Sequence, residues 1–94
     1  MSLLLVSVQL KAQITQVYGT VSDDWGPLFG VNVCEMDGTD RIVESATTDM
    51  NGNFTIKSPN NLAVLAVSFI GYEDYEVAVN TITSHTTIKL KTST

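Results

Sequence analysis

The sequence has few of the residues from which metal centres and disulfide frameworks are built. Its 94 residues include one cysteine, Cys34, and one histidine, His85. A lone cysteine cannot form an internal disulfide, so it does not identify a redox compartment. A structural zinc site needs about four ligands, mostly cysteine and histidine, which this chain cannot supply. We therefore expect no disulfide, no zinc centre and no other cofactor.

Basic residues are also scarce. Five Lys and Arg residues stand against ten Asp and Glu residues, which gives a formal net charge of −5 at pH 7. Nucleic-acid binding depends largely on Lys and Arg, and so does binding to anionic lipid surfaces. The charge balance therefore argues against both kinds of partner, and an acidic surface of this kind favours solubility.

Helical periodicity is the third absence. Short alternating segments recur instead, separated by turn residues about every 10–12 positions. The length and the 44% hydrophobic content suit one small folded domain. We predict an all-β fold, a seven-stranded antiparallel Greek-key β-sandwich, in which residues 62–70 form a central strand buried on both faces. The predicted strands cover residues 14–21, 31–36, 41–48, 54–57, 62–70, 75–79 and 86–90.

The first 13 residues form an apolar stretch that ends in Ala12-Gln13. This pattern is typical of the end of a secretory signal peptide whose basic beginning is missing. It is too short to span a bilayer, which takes about 20 residues. We interpret residues 1–13 as a residual leader and residues 14–94 as the domain; the alternative is an ordinary first strand. We expect the leader to add a strand to its own sheet or to a second copy, the latter giving a strand-mediated homo-oligomer.

The segment from Thr47 to Phe54 is predicted to be a tight hairpin turn between two strands. Asn51-Gly52 supplies backbone that can adopt positive φ, and Asp49 can accept hydrogen bonds from N–H groups of the turn. An EF-hand calcium loop does not fit, because Gly52 falls at the fourth position rather than the sixth and the twelfth position is not acidic. We expect Asp49, Asn51 and Gly52 to specify the fold, with Phe54 entering the core.

Catalytic residues do not form a recognisable constellation. Cys34 is predicted in the middle of a strand, and His85 in the outward register of the last strand. A reactive thiol needs a lowered pKa and a nearby base, and a glycosidase needs two carboxylates flanking a sugar-sized cleft. The sequence therefore does not predict an enzyme.

Two acidic turns are the remaining candidates for a metal site. Asp23-Asp24 and the pair Asp37 and Asp40 could lie at one end of a sandwich, where converging carboxylates can bind calcium. The alternative is that these acids are simply solvated turn residues.

Three aromatic residues are candidates for binding a sugar or a protein partner. Trp25 lies in a turn, and Tyr72 and Tyr75 flank an acidic turn. Exposed rings in loops can stack on sugars or anchor a protein. The alternative is that Tyr75 belongs to the core and that Trp25 and Tyr72 cover the ends of the sandwich.

Three stretches in order resemble one family, the carboxypeptidase regulatory-like domains. Residues 18–23 and 26–33 (YGTVSD and GPLFGVNV) are similar to its opening pattern of glycine, valine, aspartate and proline. Residues 48–54 (TDMNGNF) resemble its central turn, and residues 67–72 (VSFIGY) its apolar strand closing in Gly-Tyr. One residue is missing between Gly26 and Pro27 relative to that pattern. The segment 40–46 is longer than usual, so we expect an extended hairpin there.

The resemblance covers about residues 17–91 and implies a transthyretin-like (prealbumin-like) sandwich without catalytic activity. Such domains occur beside metallocarboxypeptidases and as the periplasmic N-terminal module of TonB-dependent outer-membrane receptors, including receptors that import glycans. We therefore expect a non-catalytic accessory domain of an exported cell-envelope receptor, located in the periplasm, with protein partners and no membrane insertion of its own. The alternative is a small carbohydrate- or ligand-binding module that uses Trp25 and Tyr72.

Overall fold

A computed structural model describes residues 16–57 and 59–93. The predicted leader lies outside these residues. Within them the chain forms eight strands and one short 3₁₀ helix at Val79–Thr81. The strands are β1 (Gln16–Asp23), β2 (Gly26–Pro27), β3 (Asn32–Met36), β4 (Ile42–Thr47), β5 (Asn53–Lys57), β6 (Val64–Ser68), β7 (Tyr75–Ala78) and β8 (His85–Lys89). No helix among the described residues is long and apolar enough to cross a membrane.

The strands form two sheets, as a β-sandwich requires. In the first sheet β1 pairs with β2 and β5, both antiparallel, and with β8 in parallel. The second sheet is antiparallel throughout, in the order β4-β3-β6-β7. The all-β prediction is confirmed. The structure differs in two details: the two-residue β2 adds a strand where a turn was expected, and β8 runs parallel to β1.

The parallel pair follows from the path of the chain between the sheets. β7 lies in the second sheet, and the 3₁₀ helix follows it directly before the chain enters β8 in the first sheet. A chain that changes sheets in this way is not a hairpin, so its next strand need not run antiparallel to its neighbour. Alternation within a strand carries no information about such a distant pairing.

The core lies between the two sheets and is built from alternating side chains. Val17 and Val21 of β1 are fully buried, and so are Val31, directly before β3, and Val33 in β3. β6 also alternates: Leu65 and Val67 are buried, and the residues between them are half-buried. The prediction of a strand buried on both faces was therefore wrong, although β6 does lie inside its sheet.

A glycine opposite an aromatic ring completes the core of the first sheet. Gly19 of β1 pairs directly with Phe54 of β5. A Cβ at position 19 would lie 2.1 Å from Cζ of Phe54. The missing side chain therefore lets the ring lie over β1, where Phe54 is 4% exposed.

The turn after β4 joins the two sheets and is not a hairpin. β4 is an edge of the second sheet and β5 belongs to the first. Thr48, directly after β4, is bonded to the loop before β3 through both its backbone and its side chain. Its Oγ1 accepts a hydrogen bond from Val31 N at 2.9 Å and donates one to Leu28 O at 2.7 Å. By contrast, β3 and β4 do form the expected extended hairpin.

Candidate functional site

Five loop segments meet at the end of the sandwich where β1 ends, and we call it the Trp25 end. The strand registers place them together: β1, β4, β6 and β8 end here, and β3, β5 and β7 begin here. The segments are residues 24–25, 28–31, 48–52, 69–74 and 90–93.

Asp23 organises the turn that carries Trp25. Its Oδ1 accepts hydrogen bonds from Trp25 N at 2.8 Å and Gly26 N at 3.1 Å, and its Oδ2 accepts one from the Tyr72 hydroxyl. The Tyr72 hydroxyl, followed by the Trp25 N–H, holds the pKa of Asp23 below its usual value. The same bond raises the pKa of Tyr72. The backbone of the turn is thus fixed while the indole of Trp25 stays 82% exposed.

The β6–β7 loop is fixed on both sides of an exposed isoleucine. The rings of Phe69 and Tyr72 are stacked, with centroids 5.6 Å apart and planes inclined by 24°. Tyr72 N donates to Phe69 O at 3.1 Å and closes a turn in which Gly71 has a φ of 88°. Ile70 occupies this turn and is 91% exposed.

The last described residues run across the same end. Leu90 N donates to Ser22 O at 2.8 Å, and Glu73 N donates to Lys91 O at 2.8 Å. Thr92 forms a β-bridge with Tyr72. This segment therefore connects β1 in the first sheet to the β6–β7 loop of the second.

A surface pocket of about 460 Å³ lies between this segment and the Trp25 turn. On its lining, Lys89 Nζ lies 2.7 Å from Asp24 Oδ1, and this contact raises the pKa of Lys89. The other lining residues are Asp23, Trp25, Leu90, Lys91 and Thr92. The pocket combines the exposed Trp25 with the Asp24–Lys89 ion pair and with Asp23, whose carboxylate is hydrogen-bonded.

The turn at residues 48–53 closes the end on its other side. Asp49 Oδ1 accepts hydrogen bonds from Asn51 N and Asn53 N, both at 2.9 Å. Gly52 has a φ of 78°, whereas Asn51 stays at negative φ. The positive-φ role therefore falls on Gly52 alone, and the side chain of Met50 is left 79% exposed.

The three aromatic candidates have different surroundings. Trp25 is open to solvent, while Tyr72 is half-buried, and both are bonded to Asp23. Tyr75 begins β7 and is 39% exposed, so the view that it belongs to the core was wrong. Its position at the start of an edge strand explains the exposure.

The sequence reasoning missed the apolar residues of this end and one buried acid. Ile70 was assigned to a buried strand, although the following Gly71 is a turn signal. Glu35 is 1% exposed, and its Oε2 accepts a hydrogen bond from Asn60 N at 2.7 Å. Glu35 alternates with the inward-facing Val31 and Val33, and this spacing was the signal that could have predicted its burial.

Neither acidic turn gathers ligands for a cation. Among the described residues, no group of three His, Cys, Asp or Glu side chains is placed to hold a metal ion. The Thr39 hydroxyl, the Thr39 N–H and the Arg41 N–H all donate to Asp37 and lower its pKa to about 2. Cys34 lies on β3 and His85 on β8, in different sheets.

These features define a β-sandwich with the turns that the sequence motifs indicate, and the chain belongs to the CarboxypepD_reg-like domain family over residues 17–94. Among curated proteins it is similar to TonB-dependent receptor P3 of Formosa agariphila, with 37% identity over 81 residues. That match covers 84% of this chain and 8% of the receptor. The chain thus spans only a small part of the length of its relative.

Proposed function

We propose that this chain is the accessory domain of a TonB-dependent outer-membrane receptor, that it lies on the periplasmic side, and that it assists the import of a nutrient such as a glycan. The observation that carries the proposal is the 37% identity to such a receptor across 84% of the chain. Membership of a regulatory-like, non-catalytic family supports an interaction role over an enzymatic one.

An exposed strand edge supports a protein partner. β4 pairs only with β3 among the described residues, and all of its residues except Ala46 are exposed. Ile42 and Val43 are 58% and 53% exposed. An edge strand with free N–H and C=O groups can be extended by a strand from another chain. The bulge at the Ile42 end of β4 leaves residues 44–47 as the regular part of this edge.

The experiment has two stages. The reading frame beyond codon 94 should encode a plug and a barrel; a frame without them contradicts the proposal. In the full-length receptor, deletion of residues 17–94 should leave the amount of protein in the outer membrane unchanged and lower nutrient uptake. Unchanged uptake would contradict the role in import while leaving the family assignment intact.

A second candidate is a small carbohydrate-binding module, and the open face of Trp25 beside the pocket favours it. Tyr72 is a poor second platform, because its ring is stacked on Phe69 and its hydroxyl is bonded to Asp23. Calorimetry against a set of oligosaccharides tests this candidate. It requires binding that Trp25→Ala abolishes and Leu62→Ala leaves unchanged, since Leu62 is equally exposed at the other end. If no oligosaccharide binds, this candidate is withdrawn.

A further inference from the structure

The most exposed apolar side chains of the domain are concentrated at the Trp25 end. Five large hydrophobic residues among those described are more than 60% exposed. Four of them belong to this end: Trp25 at 82%, Phe29 at 64%, Met50 at 79% and Ile70 at 91%. The fifth, Leu62 at 82%, lies at the opposite end of the sandwich. Scattered exposed hydrophobic residues are ordinary, but a concentration of them marks an interaction surface.

Local structure does not require these side chains. Turns favour Gly, Asn, Asp, Ser and Pro, each for a conformational reason that isoleucine and tryptophan do not share. The turn at Ile70 is closed by a backbone hydrogen bond and by the positive φ of Gly71. The turn at Trp25 is closed by the carboxylate of Asp23. Both apolar side chains are therefore additions to turns that are already specified.

The loops that carry them are bonded to one another. Tyr72 joins the β6–β7 loop to the Trp25 turn through Asp23. Gly30 N donates to Thr48 O at 3.1 Å and joins the Phe29 loop to the Met50 turn. A surface held in this way loses little conformational entropy on binding, which favours affinity.

The charge around these residues indicates the chemistry of the partner. Lys89 and Lys91 are outnumbered by acidic residues at this end: Asp23, Asp24, Asp49, Glu73 and Asp74. An acidic rim repels anionic lipid headgroups and the phosphates of nucleic acid. It suits a protein surface that offers an apolar recess bordered by Lys or Arg.

We propose that the Trp25 end docks onto the next folded segment of the same receptor polypeptide. This inference rests on the proposed function. In the similar receptor, a region of this kind is 8% of the length, so most of such a protein lies outside the domain. Residues 90–93 run across the Trp25 end, and Ser93 N donates to Gly71 O beside Ile70. In a receptor of that kind, a segment joined to residue 94 would start close to the β6–β7 loop. A tethered neighbour is present there at high effective concentration, which makes docking favourable even through a modest patch.

Hydrogen exchange tests the docking site by site. The full-length receptor in detergent is compared with residues 1–94 alone. In the receptor we expect amides in residues 24–30, 48–52 and 69–73 to exchange about tenfold more slowly or better. Residues 37–41 and 60–63, at the opposite end, should exchange equally in both proteins. Ile70→Ser should remove much of the protection, whereas the matched control Leu62→Ser should not.

Each contrary result has a distinct meaning. Equal exchange at the Trp25 end in both proteins overturns the docking and leaves the receptor assignment intact. Equal effects of Ile70→Ser and Leu62→Ser also overturn it, provided that melting of the two isolated variants shows both to be folded. A reading frame without a receptor after residue 94 overturns the docking and the proposed function together, because the segment onto which the Trp25 end would dock does not exist.

Discussion

Two turns at opposite ends of the sandwich, organised by Asp23 and by Asp37, are held in different ways. At the Trp25 end the loops bond to one another, as in the hydrogen bond from Tyr72 to Asp23, which are 49 residues apart. At the opposite end the turn between β3 and β4 is closed from within: Asp37 accepts from Thr39 and Arg41, two and four residues away. Long-range bonds also hold other segments of that end: Asn60 N donates to Glu35 across 25 residues, and Tyr18 N donates to Ser84 O.

This difference predicts how far the effect of a substitution in each turn extends through the fold. A turn closed by its own residues needs little help from the rest of the fold, so a change there should stay local. Loops that bond to each other form one surface, so a change in one should be transmitted to its neighbours. Substitutions at matched positions of the two ends test this contrast.

The largest effect is expected at Gly52. It is buried with a φ of 78°, and a Cβ there would lie 2.4 Å from the Val21 carbonyl oxygen. Gly52→Ala adds backbone strain of about 1–3 kcal/mol to overpacking of about 1–3 kcal/mol. We expect the free energy of unfolding to fall by roughly 3 kcal/mol, measured by urea unfolding.

Two other glycines serve as controls for Gly52. Gly38, at the opposite end, lacks a positive φ, and a Cβ there would meet nothing within 4 Å. Gly38→Ala should change stability by no more than about 0.5 kcal/mol. Gly71 has a φ of 88° but equally open surroundings, so Gly71→Ala should cost only the strain of about 1 kcal/mol. If Gly52→Ala lowers the free energy of unfolding by no more than Gly71→Ala does, the close approach to the Val21 carbonyl oxygen does not contribute to the effect.

The sequence indicated the turn at Gly52 because its signals are local. Asp, Asn and Gly in that order predict a turn whose carboxylate accepts backbone hydrogen bonds, and Asp49 has this geometry in the structure. That β4 and β5 belong to different sheets could not be read from the same residues, since the pairing of β1 with β5 depends on contacts more than 30 residues apart.

Burial of individual side chains was predictable where alternation was regular, and less so at the strand ends. Val31 and Val33 face the core at alternate positions, and so do Ile88 in β8 and Leu90 directly after it. Ile70 was placed in the core because an apolar residue after an apolar strand looks like its continuation. The contacts that fix the Trp25 end join residues far apart in sequence, so its geometry could not be predicted from the pattern, whereas the position of Trp25 in a turn could.

The next largest effect is expected at Thr48, which joins two segments of the Trp25 end. It is 2% exposed, and its hydroxyl is bonded to Val31 N and Leu28 O. Thr48→Val keeps the shape and leaves the Val31 N–H without that acceptor, which should cost about 2 kcal/mol in urea unfolding. The control is Thr39→Val, whose exposed hydroxyl bonds only within its own turn, and which should cost at most about 0.5 kcal/mol. Equal costs would remove the distinction between the ends.

The smallest expected effect is on the pKa values of two carboxylates, one at each end of the sandwich. The pKa of Asp37 is lowered to about 2, with the Thr39 hydroxyl as its largest cause. The pKa of Asp23 is also lowered, with the Tyr72 hydroxyl as its largest cause. Because both folded-state values lie below the unfolded ones, each carboxylate stabilises the fold above about pH 4 and loses this contribution as the pH falls through its folded pKa.

Removing one donor at each end should therefore move one pKa and not the other. Tyr72→Phe should raise the pKa of Asp23 toward its ordinary value and leave Asp37 at about 2. Thr39→Val should raise the pKa of Asp37 and leave Asp23 unchanged. Titration of the carboxyl carbons by NMR measures both groups in each variant. In Thr39→Val the loss of stability between about pH 4 and 2 should be shallower, because the folded and unfolded pKa values of Asp37 lie closer together. A variant that moved both pKa values would mean that the two ends are coupled through the sheets, contrary to the local closure of the Asp37 turn.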